Sequence, residues 1–249
     1  MISLHALDLT FKLDNANKPL VYVSSSEGKK QQCTDMKTLA DFQQVAFSFE
    51  SELAPGNYHL TLQYTGIHND QLAGFYRSKY TAKDGTVKYM VTTQFEACDC
   101  RRALPCWDEP NIKAIFIVTL VVEPGLLAIS NMPVCRRATT LAQDGTGDET
   151  GLVYAADLVK YEYLPSPIMS TYLLAFVIGE FDYLEAVGDN NVAIRVYTPV
   201  GKTAQGGFAL DCATRCLKFF NEWFGLPYPL PKVDLLAIPD FAGWFKAPF

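Results

Sequence analysis

Apolar and polar residues alternate with a period of two along most of the first 200 positions. Leu7, Leu9, Phe11 and Leu13 are separated by Asp8, Thr10 and Lys12, a spacing that places the apolar side chains on one face of an extended strand. Val45, Phe47 and Phe49 repeat the pattern, and so do Tyr58, Leu60, Leu62 and Tyr64. Residues 80–90 carry Asp84-Gly85 between two alternating segments, which predicts a tight hairpin turn in which both residues take positive φ. Residues 114–122 are almost wholly apolar and rich in Ile and Val, which predicts a strand buried on both faces. Residues 172–184 and 192–197 predict further strands. The small, acidic run Asp144-Gly145-Thr146-Gly147-Asp148 predicts a surface loop. There is no internal repeat and no low-complexity tract.

The period changes after Pro199-Val200-Gly201. Phe208, Cys212, Arg215 or Cys216, Phe219 and Trp223 recur at steps of three and four, which predicts a helix over 204–224 with these residues on one face. Gly225 and Pro227 end it, Gly by tolerating a left-handed conformation and Pro by lacking an amide proton. Burying each large aromatic contributes roughly 1.5–3 kcal/mol, so this face calls for a partner surface. A proline-punctuated stretch, 227–231, then leads into a short predicted strand over 233–238. A β-rich region followed by the start of an α/β region fits the change.

Composition narrows the function classes. The 249 residues are 49% apolar and 19% charged, as in an ordinary globular protein. Lys and Arg total 21 against 27 Asp and Glu, a net charge of −6, and no basic patch with interleaved aromatics occurs. Binding to a phosphate backbone is thereby disfavoured, and no nucleic-acid partner is expected. Seven cysteines at irregular spacing do not read as a disulfide framework. No Asn-x-Ser/Thr sequon is present and the first ten residues lack a basic, apolar leader pattern. The longest apolar stretch, 168–179, is too short to cross a bilayer. Together these predict a cytoplasmic setting with no membrane span.

One segment is highly specific: Thr93-Gln94-Phe95-Glu96-Ala97-Cys98-Asp99-Cys100-Arg101-Arg102-Ala103-Leu104-Pro105-Cys106-Trp107-Asp108-Glu109-Pro110. It resembles the aminopeptidase N family of zinc aminopeptidases, in its puromycin-sensitive branch. Gly74-Phe75-Tyr76-Arg77-Ser78-Lys79-Tyr80, Met169-Ser170-Thr171-Tyr172-Leu173, Arg195-Val196-Tyr197-Thr198-Pro199 and Tyr228-Pro229-Leu230-Pro231-Lys232-Val233-Asp234 agree with it in order. The resemblance implies a mainly β fold. Residues 1–198 would be a large, saddle-like β-sandwich domain, and residues 199–249 the first helix and strand of a thermolysin-like α/β catalytic domain. It implies that Glu96 matches the carboxylate receiving the free α-ammonium of a peptide, and that Gln94 lines the first side-chain pocket. A carboxylate distinguishes a charged N-terminus from an internal amide through a charge-assisted hydrogen bond.

The zinc of the full-length family is expected to have no ligands here. Its His-Glu-x-x-His motif is not in this sequence: His5, His59 and His68 are the only histidines, and none is followed by Glu. Pro239-Asp240-Phe241-Ala242 runs into Gly243-Trp244-Phe245-Lys246-Ala247-Pro248-Phe249, where the family has Gly-Ala-Met-Glu-Asn. The resemblance therefore implies a truncated form that carries no catalytic or metal-binding residue, with Met1 falling inside the family's first sheet. Its expected partners are peptide N-termini. An alternative role is a non-catalytic module whose helix face docks on a full-length aminopeptidase.

Other constellations receive structural readings. Cys98, Cys100 and Cys106 lack paired spacing and a nearby His, and read as thiols before they read as a metal cluster. Cys212 and Cys216, four apart on the helix, read as packing. Arg101, Arg102, Asp108 and Glu109 read as a salt-bridged corner around a Pro-bounded turn. Gly201-Lys202-Thr203 lacks the upstream glycine of a phosphate loop.

Overall fold

The computed structural model describes residues 1–26, 28–140 and 158–240. The loop expected at 144–148 and the terminal residues 241–249 lie outside the described residues. The described chain is mainly β.

The first layer is built from β1 (Ile2–His5), β2 (Leu9–Phe11), β3 (Val21–Ser25), β4 (Lys30–Leu39), β5 (Gln44–Phe49), β6 (Tyr58–Leu62) and β7 (Tyr64–Gly66). Five of them form an antiparallel sheet in the order β1-β5-β4-β3-β6, and β2 pairs with β7. Leu4, Phe11, Val21, Cys33, Val45 and Phe47 fill the space beneath it. The rings of Phe11 and Phe47 meet edge to face at 5.2 Å. The alternation over 7–13 yields only the three residues of β2. Asp8 at φ 58° interrupts the strand on one side, and Leu13 makes a single bridge to Pro19 on the other.

Next come β8 (Gly74–Thr81), β9 (Val87–Gln94), β10 (Thr119–Val122), β11 (Leu127–Ser130), β12 (Val134–Thr140), β13 (Leu158–Tyr163) and β14 (Phe176–Gly179). They make a sheet in the order β11-β14-β9-β8 and another in the order β10-β13-β12. The β8–β9 hairpin is present, but its turn is not the two-residue type. Only Gly85 takes positive φ, at 85°. Asp84 contributes its side chain instead, with Oδ1 accepting from the Thr86 amide at 2.9 Å and from its hydroxyl at 2.6 Å.

The strand expected over 114–122 is largely corrected. Only Thr119–Val122 is regular. Before it, Phe116 and Val118 pack inward, whereas Ile115 and Ile117 are exposed. The segment is held irregularly: Ala114 bridges Met169, and Phe116 N–H donates to Ser166 Oγ at 2.9 Å. An all-apolar run hides this alternation, because nothing polar marks the outer face.

The chain continues through β15 (Phe181–Val187), β16 (Ala193–Pro199), α1 (Gly207–Phe224) and β17 (Lys232–Leu236). β15 and β16 are antiparallel, and β17 runs parallel to β16 with Ala193 opposite Lys232 and Tyr197 opposite Leu236. The helix is the crossover of a βαβ unit. A strand from beyond residue 198 thus completes a sheet begun before it. Gly225 closes the helix at φ 64°.

The buried face of α1 is not the expected one. Leu210, Ala213 and Leu217 pack on Val192, Ile194 and Val233. Phe208, Phe219, Phe220, Trp223 and Phe224 are all exposed, with Phe219 stacked on Trp223 and Phe220 on Phe224. The helix carries two apolar stripes, one aliphatic and one aromatic. The close approach selects the aliphatic one: a Cβ on Gly188 would lie 3.0 Å from Leu217 Cδ2 and 2.6 Å from Ile194 Cδ1. Aromatic rings would prop the helix off the sheet. Among the described residues no helix is long and apolar enough to cross a membrane.

Candidate functional site

Strand β9 ends at Gln94, opposite Gly74 of β8. Phe95, the next residue, is fully buried against Phe176 and packs with Leu174 and Cys100. Its carbonyl accepts from the Asp99 amide at 2.8 Å. This anchor leaves Glu96 exposed immediately beyond the strand, followed by a cis peptide to Ala97. The Gln94 Nε2 amide donates to the Glu96 backbone carbonyl at 3.2 Å. Among the described residues Gln94 Oε1 is covered and has no partner. The Glu96 carboxylate makes no hydrogen bond or ion pair with the described residues. Gln94 and Glu96 are thus neighbours, but Gln94 turns its amide toward the backbone that carries Glu96.

The following loop is pinned by charge. Asp108 Oδ2 accepts from Arg101 Nε at 3.0 Å and from the Arg101 backbone amide at 3.1 Å, while Oδ1 accepts from the Thr171 hydroxyl at 2.6 Å. The side chains of this pair are 10% and 1% exposed. Arg101 also reaches Gln43 Oε1 at 3.0 Å. Ser170 Oγ donates to the Pro110 carbonyl at 2.6 Å. Two of the stretches that carry the family resemblance, one around Asp108 and one around Thr171, therefore hold each other. Arg102 takes different partners, Asp99 at 2.8 Å and Asp8 at 2.6 Å. Glu109 approaches His5 Nε2 at 3.9 Å. Half of the expected corner forms, and the rest is redistributed to acids from elsewhere. Gly74 permits the close approach of this loop to β8: at φ 71°, a Cβ there would lie 2.6 Å from Arg102 Cβ.

His5 is the participant that no local pattern signals, since it lies 103 residues from its partner. The Asp108 amide donates to His5 Nδ1 at 3.1 Å, so that nitrogen carries no proton and the imidazole is neutral. Burial first, and Arg101 second, hold its pKa below the usual histidine value of 6.5. In the unfolded chain His5 takes up a proton at a higher pH than in the folded one. Its contribution to stability is therefore full above pH 6.5 and is lost as the pH falls below it. Urea midpoints measured between about pH 7.5 and 5.5 are expected to fall less steeply for His5→Asn than for the unsubstituted chain. Equal slopes would remove His5 from the account.

The three cysteines divide. Cys98 is exposed and stands apart. The Cys100 and Cys106 sulfurs and an Asp108 carboxylate oxygen all lie within 4.8 Å of one another. Contact with Cys106 and burial push the Cys100 thiol well above its ordinary range. His59 lies on β6, and the ring of His68 packs edge-on against Phe75 at 4.6 Å. The three histidines occupy separate places and do not make a catalytic zinc set.

Residues 1–173 match the peptidase M1 N-terminal domain. The chain belongs to the peptidase M1 family. It is 46% identical over 209 residues to aminopeptidase M1-C of Oryza sativa subsp. japonica, an alignment that covers 84% of this chain and 22% of the relative. It is 44% identical over 198 residues to the puromycin-sensitive aminopeptidase of Caenorhabditis elegans, covering 80% and 20%. Aminopeptidase M1 of Arabidopsis thaliana matches at 44% over 198 residues, covering 80% and 21%. The chain spans about a fifth of the length of these curated M1 relatives. Both the β9 end and the pinned loop fall inside the matched M1 N-terminal domain.

Proposed function

We propose that this chain supplies peptide N-terminus recognition to an M1 aminopeptidase, through the carboxylate of Glu96. The observation that carries the proposal is an exposed carboxylate, without a hydrogen-bond or ion-pair partner among the described residues, on a backbone held at two points. Phe95 anchors that backbone from below and the Gln94 amide fixes it from the side. An α-ammonium offers three N–H donors, and a free carboxylate in a fixed place receives them without first losing another partner. Gln94 acts as a positioning residue, because one N–H of its amide holds the Glu96 carbonyl. The last described residue comes back to the same strand pair: the Asp240 carbonyl accepts from the Tyr76 hydroxyl at 3.0 Å, and its amide donates to Ser78 Oγ at 3.0 Å. The segment after β17 thus lies against the hairpin that carries Gln94.

The peptide-bond cleavage itself we assign to residues outside this sequence. In the family a zinc ion activates water for the attack, but His5, His59 and His68 lie in separate places and do not fit the role of its ligands here. The test is a calorimetric titration of the chain with an unblocked peptide near neutral pH. Removing a charge-assisted hydrogen bond costs about 1.5–3 kcal/mol, so Glu96→Gln is expected to weaken binding by about tenfold to a hundredfold. An unchanged Kd would contradict the assignment.

A further inference from the structure

The loop after Glu96 holds a second feature that peptide recognition does not use. Cys100 and Cys106 present their sulfurs to each other inside the apolar cluster of Phe95, Leu104, Phe116 and Leu174. Cys100 is completely buried and Cys106 half-buried, so the pair meets solvent on the Cys106 side. Both backbones are fixed independently. The Cys100 carbonyl accepts from the amides of Ala103 and Leu104 at 2.9 and 3.0 Å. Cys106 exchanges two backbone hydrogen bonds with His5, at 2.8 and 3.1 Å. The sulfurs are therefore held near each other by the fold, with no disulfide between them.

We propose that Cys100 and Cys106 form a two-sulfur site for a soft, monovalent d10 cation of the Cu(I) type. The donor set makes the choice. Thiolate sulfur prefers soft cations, and Cu(I) is satisfied by two sulfurs, whereas a structural zinc takes four ligands. The groups that could extend the shell are committed. Asp108 already accepts three hydrogen bonds, from the Arg101 amide, Arg101 Nε and Thr171. His5 Nδ1 accepts from the Asp108 amide. The Arg101 guanidinium beside Asp108 opposes a divalent cation and offsets the negative charge of a bis-thiolate copper complex. On binding, two S–H bonds break, two Cu–S bonds form and two protons leave to solvent, with no change in oxidation state.

The exposed or half-exposed thiols Cys98, Cys135, Cys212 and Cys216 would take the same ion, so the experiment starts from the chain with these four replaced by Ser. Titration under anaerobic conditions against the coloured bicinchoninate complex of Cu(I) is expected to transfer one equivalent per chain. Cys106→Ser, and separately Cys100→Ala, should each weaken retention at least a hundredfold, with thermal melts reporting that the variants remain folded. If the four-serine chain withdraws no copper, or keeps its equivalent after either substitution, the proposal fails. It also fails if Zn(II), competed against a zinc indicator, is held at the same pair as tightly as Cu(I).

Discussion

Asp108→Ala is expected to destabilise the fold by about 3–5 kcal/mol, the cost of leaving a buried charge without its partner. Asp108 joins three parts of the chain. It takes two hydrogen bonds from Arg101 and one from Thr171, and its own amide donates to His5. Without the carboxylate, the Arg101 guanidinium keeps, among the described residues, only Gln43 Oε1 and the Asp108 backbone carbonyl, and at 10% exposure it cannot turn to water for the rest. The pH-dependent contribution of His5 should grow in the same variant, because the Asp108 carboxylate opposes the lowering of the His5 pKa and its removal leaves Arg101 unopposed on that side. Glu109→Ala is the control, because that carboxylate is 52% exposed and among the described residues reaches only His5, at 3.9 Å; it should change stability by less than about 0.5 kcal/mol. Urea unfolding of the two variants checks both. A loss below about 1 kcal/mol for Asp108→Ala would contradict the role assigned to the pair.

Lys232→Met should cost a similar amount, again about 3–5 kcal/mol, for a different structural reason. Lys232 and Asp234 are 5% and 1% exposed and pair within β17. The ammonium also donates to the Ser130 carbonyl at 2.7 Å, which ties β17 to the end of β11. Burial holds the Lys232 pKa below its ordinary value, with Asp234 opposing the shift. Removal of the ammonium strands a carboxylate whose second oxygen, Oδ1, has no partner among the described residues. It also loosens the βαβ unit from the sheets before it. Adding Asp234→Leu to Lys232→Met removes the stranded charge, and the double variant should recover most of the loss. If the double variant is no more stable than the single one, the Ser130 link rather than charge burial sets the cost.

What the sequence made legible was local. β5 and the β8–β9 hairpin follow alternation over six to eight residues, and the end of α1 follows from Gly225 and Pro227. The orientation of α1 was not legible, because its aliphatic and aromatic stripes both have helical period. The sheet chose between them by the space left at Gly188. The interior of β17 was hidden for a related reason. Lys232 and Asp234 alternate with Val233 as an outward polar face would, yet that face is covered too. At the candidate site, Gln94 and Glu96 could be named from the motif, and two of the four charges around Asp108 were paired as expected. His5 and Thr171 could not be named, because they meet Asp108 only after the sheets have formed. The cysteines show the same limit. Spacing could not divide Cys98, Cys100 and Cys106, whereas the fold leaves Cys98 exposed and brings the Cys100 and Cys106 sulfurs together.

The central claim is that Glu96 receives a free α-ammonium. The most direct measurement is the calorimetric titration repeated with two forms of one peptide, unblocked and N-acetylated. Acetylation removes the charge and two of the three donors while leaving the side chains unchanged. The chain should bind the unblocked form about tenfold or more tightly than the acetylated form, and Glu96→Gln should erase the difference. Equal affinities for the two peptides, or a preference that survives Glu96→Gln, would contradict the account.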